Sequence, residues 1–115
     1  METLDFVHRI VEAIEERLGE DILILDLQGI SIVTDYFVIG TGRSDRQLRA
    51  MARAVAGIAD AKRRTTIRNL DAQAQSGWVL LDLGDVVVHL FSPEQRDYYN
   101  LEELWREGKV LLKLQ

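Results

Sequence analysis

The stretch W-V-L-L-D-L-G-D-V-V-V-H-L-F, residues 78–91, decides the fold of this chain. Two runs of aliphatic residues flank a polar centre that contains Gly-Asp. Short β-branched runs interrupted in this way are typical of a β-hairpin. The sequence therefore predicts two antiparallel strands joined by a tight turn.

Two hairpin registers are compatible with a two-residue loop. A loop at residues 83–84 places Trp78 opposite His89, and a loop at residues 84–85 places Trp78 opposite Phe91. Because side chains alternate between the two sides of a strand, both registers give the same two faces. The first face is wholly aliphatic: Val79, Leu81, Leu83, Val86, Val88 and Leu90. The second face is mixed: Trp78, Leu80, Asp82, Asp85, Val87, His89 and Phe91.

The aliphatic face belongs in a hydrophobic core, whereas the mixed face must be covered by a helix or by a partner. An aromatic ring with carboxylates near it is the mixture expected of an interface core with charged surroundings. A partner on this face and a helix that covers it both stay open. The candidate partner-binding residues are Trp78, Leu80, Asp82, Asp85 and His89.

Composition and length set the limits of the fold. A chain of 115 residues, 47% of them hydrophobic and 29% charged, is expected to form a single domain over residues 1–115. The absence of Cys excludes disulfides and thiolate metal sites. The acidic N-terminus lacks the features of a signal peptide, and no apolar run approaches the roughly 20 residues of a membrane span. We expect a cytoplasmic protein without membrane contact.

Charge is unevenly distributed along the chain. The net charge is −5, yet residues 43–68 carry eight basic side chains against two acidic ones. The bulk acidity argues against general nucleic-acid binding. Arg46, Arg49 and Arg53 are spaced three and four apart, which predicts an exposed basic ridge along one helix. Such a ridge is usually a solvated surface, although a minor contact with RNA stays open.

The N-terminal half predicts a helix, two strands and a second helix. Apolar residues at spacings of three and four from Leu4 to Leu18 indicate an amphipathic helix, with Thr3 as its N-cap and Gly19 at its end. The strands are expected at residues 21–27, with both faces buried, and at residues 36–39. Ser44 and a Gln three residues later have the form of a capping box at the start of the second helix.

The remaining elements follow from shorter signals. We expect a short strand at residues 65–70 and a loop at residues 71–77 before the hairpin. Ser92 and the proline after it indicate a helix start, and a second short helix is expected from Asn100. Residues 109–115 are expected to be extended. The element order predicts an α/β domain with a mixed β-sheet flanked by helices.

Two constellations could carry chemistry. Residues 40–44, G-T-G-R-S before a helix, are a weak signal for phosphate binding, because they lack a P-loop lysine and the dinucleotide spacing. Asp82 and Asp85 with Asp35 could hold a divalent metal, but aspartates in hairpin turns more often serve the turn. We therefore expect no metal, no cofactor and no catalysis. A nucleotide-binding protein is the alternative.

Three separated motifs together resemble one known family. They are D-L-Q-G-I-S-I-V-T-D-Y-F-V-I-G-T-G-R-S-D-R-Q at residues 26–47, the hairpin, and R-D-Y-Y-N-L-E-E-L-W at residues 96–105. They closely resemble the ribosomal silencing factor family, also called RsfS or Iojap. One departure is visible: Asp71-Ala72 stands where the family usually has an acidic residue followed by Gly.

This resemblance implies both a fold and a function. The implied fold is nucleotidyltransferase-like without demonstrated catalysis. It makes a nucleotidyltransferase-related enzyme or nucleotide-binding protein the alternative function. The implied partner is the large ribosomal subunit, bound through ribosomal protein fourteen at the surface where the small subunit docks. A protein at that position represses translation by blocking subunit joining. The resemblance also implies a homodimer when the protein is off the ribosome.

Overall fold

The computed structural model of the chain describes residues 2–32, 34–63, 70–104 and 108–114. In chain order, the elements are α1 (Glu2–Glu16), β1 (Glu20–Asp26), β2 (Tyr36–Thr41), α2 (Asp45–Arg63), α3 (Leu70–Ser76), β3 (Trp78–Asp82), β4 (Val86–Phe91), α4 (Pro93–Tyr99), α5 (Leu101–Leu104) and β5 (Lys109–Leu114). The strands form one sheet in the order β3-β4-β2-β1-β5. β2 and β4 run parallel and the other neighbours antiparallel, so the predicted α/β fold with a mixed sheet flanked by helices is confirmed.

The hairpin adopts the second of the two predicted registers. Trp78 lies opposite Phe91, and Leu80 lies opposite His89. Gly84 opens the two-residue loop with a φ of +92°. The other loop would have placed Leu83 at that position, where the left-handed backbone costs a side chain about 1–2 kcal/mol. The glycine therefore selects the register.

The aliphatic face of the hairpin lies in the main core, as predicted. Its six residues are buried against the apolar sides of α1 and α2. The opposite face of the sheet has a smaller core, to which β1 contributes Leu23 and Leu25 and α5 contributes Leu101. β1 is buried on both faces, which explains its continuous apolar run.

The ends of α1 differ from prediction. The helix already includes Thr3, so Thr3 is not its N-cap. At the other end the helix stops at Glu16, and Leu18 takes a φ of +63° with its side chain exposed. Leu18 N donates to Glu15 O, and Gly19 N donates to Ile14 O, which is the hydrogen-bond pattern of a Schellman C-cap. Leu18 therefore occupies the left-handed position that Gly usually takes.

The prediction of a loop at residues 71–77 is wrong, because residues 70–76 form α3. Leu70 packs against the core and Ala74 is buried in it, one turn later, so the segment has an apolar side that its polar composition concealed. Gly77 follows with a φ of +87°. Of the strand expected at residues 65–70, Leu70 is helical and the rest lies outside the described residues. The expected extended conformation near the C-terminus is confirmed as β5.

Candidate partner-binding site around Trp78

Trp78 is the half-buried first residue of β3, on an outer strand of the sheet. Its ring centroid lies 5.3 Å from that of Phe91 on β4 and 4.3 Å from that of Tyr99 on α4. Its indole Nε1 donates a hydrogen bond to Nδ1 of His89 over 3.2 Å. Contacts from several directions therefore hold the ring while part of it stays accessible.

His89 lies beneath Trp78 and is itself buried. Burial lowers the pKa of the His89 imidazole to about 4, because the charged form would lose its hydration. The imidazole is therefore neutral at physiological pH and able to accept at Nδ1. His89 lies on the predicted face of the sheet, but other side chains cover it. It is therefore not in a position to contact a partner directly.

Exposed apolar side chains lie on the two elements that hold Trp78 and its neighbour Tyr99. Leu80, on the same side of β3, is 44% exposed, and Tyr98 and Tyr99 at the end of α4 are 78% and 43% exposed. We call Trp78, Leu80, Tyr98 and Tyr99 the Trp78 patch. Scattered exposed hydrophobic residues are ordinary, but a group of them near a fixed aromatic ring is a candidate interaction site.

The two tyrosines are not among the candidate residues that the sequence indicated. Tyr98 and Tyr99 pack edge to face with ring centroids 5.1 Å apart. They end a helix whose described side chains are nowhere buried, and a helix without a buried stripe is a signal that its aromatic residues serve another surface. The sequence contains this signal in the motif R-D-Y-Y-N at residues 96–100, where the two tyrosines follow charged residues.

α4 is fixed at both ends and on one side. Ser92 accepts a hydrogen bond from Gln95 N, Pro93 occupies the first turn, and Asn100 closes the helix in the left-handed conformation. Arg96 Nη1 donates to the Asp21 carbonyl and, over 2.8 Å, to Thr41 Oγ1. These bonds tie α4 to β1 and β2, so Tyr98 and Tyr99 project from a rigid support.

The hairpin aspartates have different surroundings. Asp82 is exposed, and its carboxylate accepts a hydrogen bond from Gly84 N over 3.0 Å, so it supports the turn while its charge faces water. Asp85 is half-buried and accepts from the Thr3 hydroxyl of α1 over 3.1 Å. α1 packs on the aliphatic face, so Asp85 lies on that side of the sheet. The prediction that Asp85 shares the face of Trp78 is therefore wrong. Strict alternation ends where the strand becomes a turn.

The glycine-rich segment at residues 40–44 serves the fold. Ser44 Oγ accepts from Gln47 N as the predicted cap. The Gln47 side chain accepts from Arg43 N and donates to the carbonyls of Arg17 and Leu18, which joins the start of α2 to the end of α1. A Cβ on Gly42 would lie 2.9 Å from Leu48 Cδ2. Close packing therefore accounts for this glycine without a phosphate.

The described residues provide no metal site. In residues 2–32, 34–63, 70–104 and 108–114, no group of three His, Asp or Glu side chains lies close enough to hold an ion.

Within the same ranges, no helix is long and apolar enough to cross a membrane.

The predicted basic ridge on α2 is partly neutralised. Asp71 of α3 pairs with Arg49 Nε over 2.9 Å and with Arg53 Nη2 over 3.1 Å. Arg49 is half-buried, whereas Arg46 and Arg53 are exposed. The ridge is therefore exposed at Arg46 and Arg53 and is not a buried ion-pair network, as predicted, whereas Arg49 is half-buried because the segment expected to be a loop is a helix that brings Asp71 beside it.

Comparisons with known proteins agree on one family. The family model described as "Ribosomal silencing factor during starvation" matches residues 1–114. A Bacillus subtilis protein named ribosomal silencing factor RsfS is 47% identical over 98 residues, which cover 85% of this chain and 82% of that protein. A mouse protein named for mitochondrial assembly of the ribosomal large subunit is 31% identical over 101 residues, covering 86% of this chain and 44% of that protein.

A solved structure supports the same assignment. The crystal structure of a protein from Chromobacterium violaceum matches with a TM-score of 0.81 and 34% sequence identity, covering 91% of this chain and 87% of that one. The bacterial relatives are named as silencing factors, a regulatory role, and the prediction that this chain is not an enzyme is confirmed. The chain belongs to the RsfS family of ribosomal silencing factors.

Proposed function

We propose that this protein represses translation by binding the large ribosomal subunit through ribosomal protein fourteen, and that the Trp78 patch forms the contact. Bound there, it sterically blocks the small subunit from joining. The observation that carries the proposal is the fixed, half-buried Trp78 ring, which contacts exposed Tyr99 and shares its strand with exposed Leu80. The names of the relatives, which refer to ribosome silencing and to the large ribosomal subunit, support the choice of partner.

The physical character of the patch favours a protein partner. Interface hot spots are enriched in Trp and Tyr that are surrounded by contacts which exclude water. A tryptophan already held in place loses little conformational entropy when it binds. By contrast, a surface that binds nucleic acid mainly through phosphates is rich in Lys and Arg, and the residues of the Trp78 patch carry no positive charge.

Charge complementarity supports a basic protein in particular. The chain carries a net charge of −5, and exposed Asp82 lies on the strand that begins with Trp78. Four residue steps along a strand place the two about 13 Å apart, so Asp82 lies at the rim of an interface centred on Trp78. Its carboxylate would speed association with a cationic surface more than it would add affinity.

Contact with ribosomal RNA is a minor part of the proposal. Arg46 is exposed and has no ion pair among the described contacts, so it is available to a phosphate. Replacing Arg46 with Gln should reduce the salt dependence of ribosome binding by about one phosphate contact if RNA is touched. Arg53→Gln is the matched control, because Arg53 is also exposed but already pairs with Asp71.

Away from the ribosome, we propose that the protein is a cytoplasmic homodimer. Apolar surface that a partner covers in the bound state favours self-association in the free state. A dimer that uses the Trp78 patch would compete with ribosome binding. Sedimentation equilibrium of the wild type and of Tyr98→Ala tests this, with a weaker dimer expected for the variant.

Co-sedimentation with purified large subunits tests the proposed contact. Wild-type protein should pellet with the subunits, and Trp78→Ala should weaken binding by about 2 kcal/mol, or roughly thirtyfold. Circular dichroism would show whether the variant is folded. A folded Trp78→Ala variant that pellets as the wild type does would show that Trp78 is structural and would refute the assignment of the patch.

A further inference from the structure

The indole N–H of Trp78 is engaged inside the protein. It donates to Nδ1 of His89, a buried residue of β4. The backbone of His89 is in turn fixed between two strands, opposite Leu80 on β3 and Ile39 on β2. The acceptor nitrogen therefore has a fixed position in the sheet. Its hydrogen bond to the indole N–H fixes the orientation of the Trp78 ring.

The neutral imidazole has one proton, and the hydrogen bond decides where that proton is. Since Nδ1 accepts, the proton resides on Nε2. Nε2 is buried and has no hydrogen-bond partner among the described residues, and the Phe37 ring lies edge-on to the imidazole with centroids 4.6 Å apart. Among the described residues, the rings packed around the imidazole are those of Phe37, Trp78 and Phe91, none of which carries a charge.

We propose that His89 is a positioning residue, which orients Trp78 for the ribosomal partner without touching that partner. The inference rests on the proposed function of the Trp78 patch and adds a second residue to it. A buried imidazole with one unpaired nitrogen is costly to a fold. Phe or Leu would fill the same space without that cost, and an orienting role explains why a histidine is there.

The hydrogen bond also limits the chemistry of the partner. Because the indole N–H is already bound to His89, it is not free to donate to the partner. The partner surface opposite Trp78 must therefore meet the ring itself, through apolar or cation–π contact. A hydrogen-bond acceptor aimed at the indole nitrogen would be left unsatisfied, which distinguishes this site from one in which a tryptophan donates across the interface.

Two substitutions of His89 separate the acceptor from the ring. His89→Asn keeps an acceptor oxygen at the same number of bonds from the backbone as Nδ1, and His89→Phe keeps an aromatic ring without an acceptor. NMR of the indole N–H in a Trp105→Phe background, where Trp78 is the one remaining tryptophan, reports the hydrogen bond directly. Co-sedimentation with large subunits reports binding.

We expect the indole resonance of His89→Phe to move towards that of free indole, and its large-subunit affinity to fall about five- to tenfold, the scale of one hydrogen bond. His89→Asn should retain more of both. A His89→Phe variant that binds as the wild type does would overturn the inference, and the proposed function would stand if Trp78→Ala still weakened binding. Fast exchange of the wild-type indole N–H with water would also overturn the inference, whatever the variants' folding.

Discussion

A matched pair of leucines tests whether the Trp78 patch, and not exposed apolar surface in general, makes the ribosome contact. Leu80 on β3 and Leu111 on β5 lie on opposite outer strands of the sheet and are 44% and 37% exposed. Replacing each with Ala removes the same atoms from similar surroundings. The two variants should therefore lose similar amounts of folding stability but differ in binding.

The expected loss for Leu80→Ala follows from its exposure. Fully burying a leucine side chain is worth about 2 kcal/mol. Leu80 has 44% of its surface still to bury, so covering it in a complex contributes about 1 kcal/mol, or about a fivefold change in Kd. Leu111 lies away from the patch, at the other edge of the sheet, and its replacement should leave Kd unchanged.

Fluorescently labelled protein titrated with large subunits would give both Kd values, and urea unfolding would give the stability of each variant. Equal Kd values for Leu80→Ala and Leu111→Ala would refute the location of the interface. Loss of binding by Leu111→Ala alone would move the interface to β5.

Three further predictions concern charge, backbone and pH. Asp82→Lys should slow association with large subunits more than Asp82→Asn does. The difference should shrink as the salt concentration rises, because exposed charges are screened beyond about 10 Å at 0.1 M. Stopped-flow association rates that fall equally for both variants at every salt concentration would show that the carboxylate serves the turn and not the partner. Leu18→Gly should raise the free energy of unfolding by about 1 kcal/mol, since Leu18 has a φ of +63° and an exposed side chain; urea unfolding that shows no gain would contradict the strain. Burial lowers the pKa of His89 to about 4 from 6.5, so the unfolded chain binds more protons than the folded chain between these pH values. The free energy of unfolding should therefore be at its full value above pH 6.5 and decline by roughly 3 kcal/mol as the pH falls to 4. His89→Phe should remove this part of the pH dependence, and an unchanged profile in the variant would contradict the prediction.

The hairpin and its aliphatic face could be predicted because their signals are local. Alternating side chains fix the faces of a strand whatever surrounds it. The register of the hairpin could also have been chosen from the sequence, because Gly84 suits the positive φ at the start of the loop and Leu83 does not. The buried first strand was predictable for the same reason, as its apolar run is continuous.

The covering of the mixed face could not be predicted from alternation. That pattern shows which side of the sheet His89 is on, but its burial depends on packing between residues distant in sequence, such as Phe37, whose ring lies 4.6 Å from the imidazole. The position of Asp85 likewise depends on a contact with Thr3, 82 residues away. The polar composition of residues 71–76 concealed a helix that tertiary packing of Ala74 stabilises.

α3 also gives a reason for the one departure from the family motif. Ala72 lies inside this helix and is exposed. Alanine favours a helix interior over glycine by about 1 kcal/mol. The substitution therefore suits the local backbone, and the neighbouring Asp71 keeps its ion pairs with Arg49 and Arg53.

The most direct test of the central claim is a subunit-joining measurement. Purified small and large subunits are mixed at a magnesium concentration that favours joining, with increasing amounts of this protein, and the joined fraction is read by light scattering. The wild type and Leu111→Ala should lower the joined fraction in proportion to the large subunits they occupy, whereas Trp78→Ala should require roughly thirtyfold more protein. Normal joining of large subunits saturated with the wild-type protein would contradict the account.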